Sequence, residues 1–403
     1  MLDLNSIKDA ERRLENIVHH TPFSKAPILS EMSGYEVFLK KENLQRTGAF
    51  KLRGAFNKIA SLVEEGKRGG VVAASAGNHA QGVAFSANHF QIEATIVMPE
   101  STPLNKIQGV KEFGANVILH GANYDEAYAY AMEYTKEHQK EFVHPFTDDE
   151  VMSGQGTVAL EMLEERPDLD AIIVPVGGGG LIAGMAVAIN ALSPQTKIIG
   201  VAANGAPAMK QSFDSKNAHG TKSVRTIADG IAVRDASPIT LEHILKEVDA
   251  LELVCEDEIA AGILFLLERQ KLLVEGAGAV GVAALIHDKI DFPKGSKIGI
   301  VLSGGNIDVT MLSLIIEKGL VKSSRKMKLS VVMIDKPGSL MMFTELLSNV
   351  GANIVHIGYD RTSIELEFGD AVVSVDLETK GVEHQDEVRS VLREHGFEFR
   401  ELA

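Results

Sequence analysis

One cysteine and no tryptophan occur in 403 residues, aromatic side chains make up only 5% of the chain, and basic residues are outnumbered 40 to 55 by acidic ones. A single cysteine excludes an internal disulfide and any multi-cysteine zinc site. Cys255 lies in the apolar, acidic stretch Leu253-Val254-Cys255-Glu256 with no cationic neighbour, so a packed thiol is expected there rather than a nucleophile. The formal net charge of −15 repels nucleic acid and anionic membranes, and no basic run reverses it locally. Scarce aromatics also remove a base-stacking platform. No apolar run approaches the roughly 20 residues that a bilayer crossing needs. The first 20 residues are charged and amphipathic at helical spacing, without an apolar signal core. The expectation is a cytoplasmic protein in a reducing compartment, with neither nucleic-acid nor membrane partners.

What is present is ordinary globular usage, 45% hydrophobic and 24% charged, in a chain long enough for two or three domains. Short apolar runs alternate with helical patterns. Val71–Ala74, Ala94–Met98, Asn116–Leu119, Ala171–Val176, Lys197–Val201 and Lys297–Leu302 read as buried strands. Helical periodicity runs through Tyr124–His138 and Val158–Glu165. Unbroken apolar strands alternating with helices predict an α/β fold with parallel sheets covered on both faces. The pattern ends near residue 320. Lys322-Ser323-Ser324-Arg325-Lys326 then reads as a linker, placed at 321–326. Residues 327–403 have their own rhythm: a strand at Met327–Ile334, a helix at Ser339–Val350, and a pair of strands at Asn353–Tyr359 and Ala371–Leu377. A helix at Glu383–His395 and a strand at Phe397–Leu402 complete a βαββαβ order.

Four motifs carry candidate chemistry. In Thr47-Gly48-Ala49-Phe50-Lys51-Leu52-Arg53-Gly54-Ala55, a lysine is set among small and apolar residues. Desolvation there disfavours the ammonium and frees an amine for attack on a carbonyl, although the local pattern also suits a lysine that reaches solvent. In Ala73-Ala74-Ser75-Ala76-Gly77-Asn78-His79-Ala80, a strand gives way to a helix. Amides at that helix start suit a carboxylate, and the alternative is a plain cap at Ser75 or Asn78. After Ala171–Val176 comes Gly177-Gly178-Gly179-Gly180-Leu181, then a helical stretch Ile182–Leu192. Four glycines remove every Cβ and let successive amides wrap a phosphate. In Val301-Leu302-Ser303-Gly304-Gly305-Asn306, a hydroxyl at a strand end can meet a ring nitrogen, or cap a turn.

Two glycine runs also match a dinucleotide fingerprint, one of them Gly276-Ala277-Gly278-Ala279-Val280-Gly281. That fingerprint needs an acid about 20 residues on, at the end of the next strand. The strands end instead in Ala203-Asn204 and in Ser303, so nicotinamide chemistry is set aside.

The four motifs, in this order, resemble the threonine dehydratase (threonine ammonia-lyase) group of fold-type II pyridoxal-phosphate enzymes over about residues 1–320. The resemblance implies a tryptophan-synthase-β-like catalytic domain, 1–320, of two parallel-sheet subdomains, the smaller at about 41–150. It implies that Lys51 carries pyridoxal 5'-phosphate as a Schiff base and moves the α-proton of an amino-acid substrate. Asn78 would contact the ring hydroxyl, Gly177, Gly178, Gly179, Gly180 and Leu181 the phosphate, and Ser303 the pyridine nitrogen. Ser75, Ala76, Gly77, Asn78 and His79 would grip the substrate carboxylate, and Glu275 would lie near the ring. The implied reaction is conversion of L-threonine to 2-oxobutyrate and ammonia, with L-serine to pyruvate as a side activity. Similar serine racemases carry a second serine where this chain has Ala76, and a methyl group cannot move a proton, so racemisation is disfavoured. Relatives with a divalent metal place acids where this chain has Ala202 and Ala208, so no divalent metal site is expected, while carbonyl ligands for a monovalent ion stay open.

Residues 327–403 resemble an ACT domain, a ferredoxin-like amino-acid-sensing module, through Asp335-Lys336-Pro337-Gly338-Ser339-Leu340, with Asn353 expected nearby. This implies an amino-acid effector, isoleucine or valine, or else a nucleotide, and a homo-oligomer, dimer or tetramer. Two other readings stand beside the dehydratase: another pyridoxal-phosphate lyase or racemase acting on serine or a related hydroxy-amino acid, and a catalytically dead amino-acid-binding regulator.

Overall fold

In the computed structural model, which describes every residue except Ser363, Glu365 and Ala403, the chain divides into the units Met1–Asp308 and Val309–Ala403. The first unit contains strands β1 (Phe23–Lys25), β2 (Glu36–Lys40), β3 (Val71–Ala74), β4 (Ala94–Met98) and β5 (Asn116–Leu119). It continues with β6 (Glu141–Phe142), β7 (Ala171–Pro175), β8 (Lys197–Ala203), β9 (Ala250–Val254) and β10 (Lys297–Val301). Its larger sheet has the order β1-β2-β10-β7-β8-β9, parallel except at the antiparallel edge strand β1. Its smaller sheet, β5-β4-β3-β6, is parallel throughout. Each strand expected from an apolar run forms within two residues of its predicted ends. β4 and β7 are buried at every residue, as strands covered by helices on both faces must be.

The helices are spaced by glycines. Helix Asp149–Glu165 lies against helix Lys51–Glu64 on one side and helix Gly180–Leu192 on another. A Cβ on Gly154 would come within 2.6 Å of the Gly54 Cα, and one on Gly184 within 2.0 Å of the Met152 carbonyl oxygen. Such approach brings whole backbones together, so the middle helix sets the separation of the other two. Beneath the larger sheet the core is built from Ile172, Val174, Met162, Leu169 and Ile182. The smaller sheet rests on Val71, Ala73, Ile96, Ile59 and Val83. Among the described residues no helix is long and apolar enough to cross a membrane.

The second unit contains β11 (Lys326–Ile334), β12 (Asn353–Asp360), β13 (Asp370–Glu378) and β14 (Glu398–Glu401) in the antiparallel order β12-β13-β11-β14. Met327, Leu329, Val331 and Met333 alternate inward on β11, and Phe343, Leu347, Val388 and Leu392 from two helices cover them. The stretch 321–326, expected as a linker, is the end of helix Val309–Lys322, a turn and the first residue of β11; the chain divides earlier, after Asp308.

Two expectations are corrected. Cys255 is exposed, because β9 ends one residue before it and it caps the helix Glu256–Phe265, its amide donating to Glu258 Oε2 at 2.7 Å. Asn353 does not lie near the 335–340 loop. It pairs in register with Glu378, which faces Lys326 at the start of β11, whereas the loop leaves the opposite end of that strand. Tyr359, at the far end of β12, is the residue that reaches the loop, donating to Asp335 Oδ1 at 2.7 Å.

Candidate active site

The four motifs converge at the carboxyl ends of β3, β7 and β10, where open α/β sheets hold their ligands. β3 passes through Ser75-Ala76-Gly77 into helix Asn78–His89. Neither Ser75 nor Asn78 caps this helix; the cap is Gly77, and Ser75 Oγ accepts from the Gly77 amide at 3.2 Å. Among the described residues, the amides of Asn78, His79 and Ala80 have no backbone acceptor. β7 passes into the glycine run and helix Gly180–Leu192, and there the amides from Gly177 through Ile182 likewise find no acceptor. A run of unpaired amides ending at a helix N-terminus is a site for a multiply charged anion. Only glycine fits this run. A Cβ on Gly178 would stand 2.5 Å from the Phe146 ring, and one on Gly177 would stand 2.7 Å from the Ile231 Cα. Gly179 adopts φ +86°, and Thr240 Oγ1 pins the loop by donating to the Gly178 carbonyl at 2.8 Å.

β10 leads to Ser303, which is 2% exposed, and whose hydroxyl has no hydrogen-bond partner among the described residues. Its carbonyl accepts from the Phe50 amide at 3.0 Å, which brings the strand end against the start of helix Lys51–Glu64.

Lys51 Nζ donates to the Pro145 carbonyl at 2.8 Å, and the next residue, Phe146, packs on the glycine run. Burial lowers the Lys51 pKa to about 8, with Glu275 opposing the shift. The neighbouring histidines stay neutral. His79 is pushed down to about 3 by burial and by Lys51; its Nε2 donates to the Val143 carbonyl and its Nδ1 is unpartnered among the described residues. His144 is pushed down to about 4 by burial and by Lys51, and its Nδ1 accepts from the Phe146 and Thr147 amides. Glu275 rises to about 7 because it is buried, although Asn78 Nδ2 donates to its Oε1 at 2.8 Å.

Behind Lys51 lies a buried charge network. Arg53 donates to both oxygens of Glu42 and to Glu161 Oε1 at 2.6 Å, and Lys40 Nζ donates to Glu161 Oε2 at 2.5 Å. Burial pushes the Glu42 carboxyl up, but Arg53 more than offsets this and holds it below the usual carboxylate range. The network ties the Lys51 helix to β2 and to helix Asp149–Glu165, and so fixes where that helix begins.

Lys51, the loop from Ser75 to His79, the glycine run and Ser303 are thus brought to one place, with Glu275 between Asn78 and Gly304. Sequence reasoning missed Pro145, Phe146 and His144, which join Lys51 to the glycine run. It also missed the tie of Asn306 to Asn78, where Asn306 Nδ2 donates to Asn78 Oδ1 at 2.7 Å. The only signal for the first group was His144-Pro145-Phe146 preceding the helix cap Asp148.

The site offers unpaired amides for a phosphate, a buried unpartnered hydroxyl for a ring nitrogen and a desolvated amine for an aldehyde carbon. Pyridoxal phosphate carries all three groups. Residues 14–304 match the family model described as pyridoxal-phosphate dependent enzyme. The chain is 48% identical over 400 residues to an L-threonine ammonia-lyase of Thermotoga maritima, covering 99% of both chains. It is 46% identical to an L-threonine ammonia-lyase of Geobacter sulfurreducens, covering 98% of both. Among solved structures, maize serine racemase superposes with TM-score 0.75 at 36% identity, over 80% of this chain and 98% of that one. On the family match, the near-full-length likeness and a site shaped for each end of the cofactor, this chain belongs to the pyridoxal-phosphate-dependent enzymes of fold type II and is a lyase.

Proposed function

We propose that the protein is an L-threonine ammonia-lyase that converts L-threonine to 2-oxobutyrate and ammonia, with L-serine as a slower substrate. The observation that carries this reading is the Lys51 amine, held at the Pro145 carbonyl with a pKa near 8, between two sets of unpaired amides. When bound, pyridoxal phosphate supplies a conjugated electron sink that makes the α-hydrogen of an amino acid acidic. Lys51 would hold the cofactor's aldehyde carbon, and its amine would serve as the base that takes the α-proton. The amides of Asn78, His79 and Ala80 hold the substrate carboxylate and set its Cα beside Lys51. Gly177 to Leu181 would hold the phosphate, Ser303 would meet the ring nitrogen and Asn78 the ring oxygen. The methyl of Ala76 cannot return a proton to the opposite face, which supports elimination over racemisation. The two relatives of nearly equal length, both L-threonine ammonia-lyases, support the choice of substrate.

The unit Val309–Ala403 is read as an ACT-like sensor for an amino acid. Gly338 at φ +94° starts helix Ser339–Asn349 without a side-chain cap. Val355, Ile357 and Tyr359 are exposed on the edge strand β12, which supports assembly into a homo-oligomer.

The test is keto-acid production by the purified holoenzyme. 2-Oxobutyrate from L-threonine should form faster than pyruvate from L-serine, and Lys51→Ala should abolish both. Turnover surviving in Lys51→Ala would overturn the mechanism, and accumulation of D-serine would move the assignment to a racemase.

A further inference from the structure

Asn306 closes the fourth motif and is exposed, yet its side chain makes two hydrogen bonds. Its Nδ2 donates to the Thr47 carbonyl at 2.9 Å and to Asn78 Oδ1 at 2.7 Å. A backbone carbonyl only accepts, so the nitrogen end of Asn306 must face Thr47. The same nitrogen faces Asn78, so Asn78 must present its oxygen there. The Asn78 nitrogen is thereby turned to Glu275, 2.8 Å away. One Asn78 N–H serves Glu275, and the other has no partner among the described residues.

The Asn306 side chain is itself locked. Gly48 has φ +74°, and a Cβ there would sit 2.4 Å from Asn306 Oδ1. The Gly305 amide donates to the Gly48 carbonyl at 2.8 Å, binding the two loops together. Polarity therefore runs from a fixed backbone carbonyl through Asn306 and Asn78 to Glu275.

We propose that Asn306 is a positioning residue, which fixes the Asn78 amide so that an N–H and not a lone pair faces the ring oxygen of the cofactor. This rests on the reading that Asn78 meets that oxygen. A reversed Asn78 would set oxygen against the Glu275 carboxylate and withhold the donor that an anionic ring oxygen requires. In this role Asn306 acts through Asn78, to which it donates.

The test uses cofactor affinity, by equilibrium dialysis, and the visible absorption and circular dichroism of the bound cofactor. Asn306→Asp cannot donate, so it forces Asn78 to turn over. It should weaken cofactor binding about tenfold and shift the visible band. In an Asn78→Ala background the same substitution should change neither. Asn306→Ala, which introduces no charge, should give a smaller shift in the same direction with the same dependence on Asn78. Equal losses with and without Asn78, or no shift with Asn78 present, would overturn the proposal. Asn78→Ala alone separates the two ideas: if it leaves affinity and spectrum unchanged, the reading of Asn78 itself is wrong.

Discussion

Lys51 has to be an amine at the moment it is used, and its surroundings favour that form. Burial lowers its pKa from 10.5 to about 8; Glu275 opposes this, and the nearby His79 and His144 stay neutral. About a tenth of such a lysine is unprotonated at pH 7, against a few ten-thousandths at its ordinary value. Apoprotein should therefore take up pyridoxal phosphate at a rate that climbs with pH and levels above about 8. Stopped-flow absorbance, with Lys51→Ala as the blank, would follow it; a midpoint near 10 would refute the desolvated lysine. The sign of the stability effect follows from the same shift. Between the folded and unfolded pKa values the unfolded chain holds more protons, so this site adds stability to the apoprotein as pH rises from 8 to 10.5. The residues legible in the sequence were those whose type is itself the signal: a lysine among small residues, a run of glycines, a serine at a strand end. Glu275, Pro145 and Asn306 were harder to read. They act through a carboxyl, a carbonyl and an amide, each aimed at a partner far away in the chain, and no local pattern records that.

Helix packing sets the distance between the Lys51 helix and the glycine run. The Gly184 Cα lies so close to helix Asp149–Glu165 that a Cβ would fall 2.0 Å from the Met152 carbonyl oxygen and 2.9 Å from the Gly156 amide. Both are backbone atoms and neither can turn aside. Gly184→Ala must push helix Gly180–Leu192 outward, and the glycine run moves with it. The expected cost is about 1–3 kcal/mol of stability, read as a melting temperature lower by several degrees, together with weaker cofactor binding. Unchanged melting and unchanged affinity would show that the helix contact does not govern the loop. Elements with continuous, largely apolar runs, such as Ala94–Met98 and Ala171–Pro175, were plain from sequence because burial on both faces leaves no charged position. β2 was not, although it lies inside its sheet between β1 and β10. Its last residue is Lys40, fully buried and bonded to Glu161 and to the Thr21 carbonyl, so a charge that looks like a surface residue is a core residue with its partners supplied from elsewhere. β1 and β6 are too short to have a period at all.

The whole molecule joins two units that each close a core of their own: Ile172, Val174 and Ile182 in one, Leu329, Val331 and Phe343 in the other. Maize serine racemase, by comparison, matches only 80% of this chain while 98% of its own length is used. Both facts support a catalytic unit that stands without the second. The covalent path between them is short. Ser303 and Asn306 follow β10, Asp308 ends the first unit, and the helix that opens the second begins at Val309. That segment carries Ser303 and also Asn306, which is bonded to Asn78. A chain ending at Asp308 should therefore fold, bind pyridoxal phosphate and turn over L-threonine, but should lose every response to amino-acid effectors. In the full chain, saturating isoleucine or valine should change keto-acid formation by about fivefold or more, the lower end of ordinary allosteric coupling. Steady-state rates of both forms, with and without each amino acid, would decide it. An identical response in the shortened chain would place the sensor within the first unit, and an inactive, unfolded product would show that the two units depend on each other for their structure.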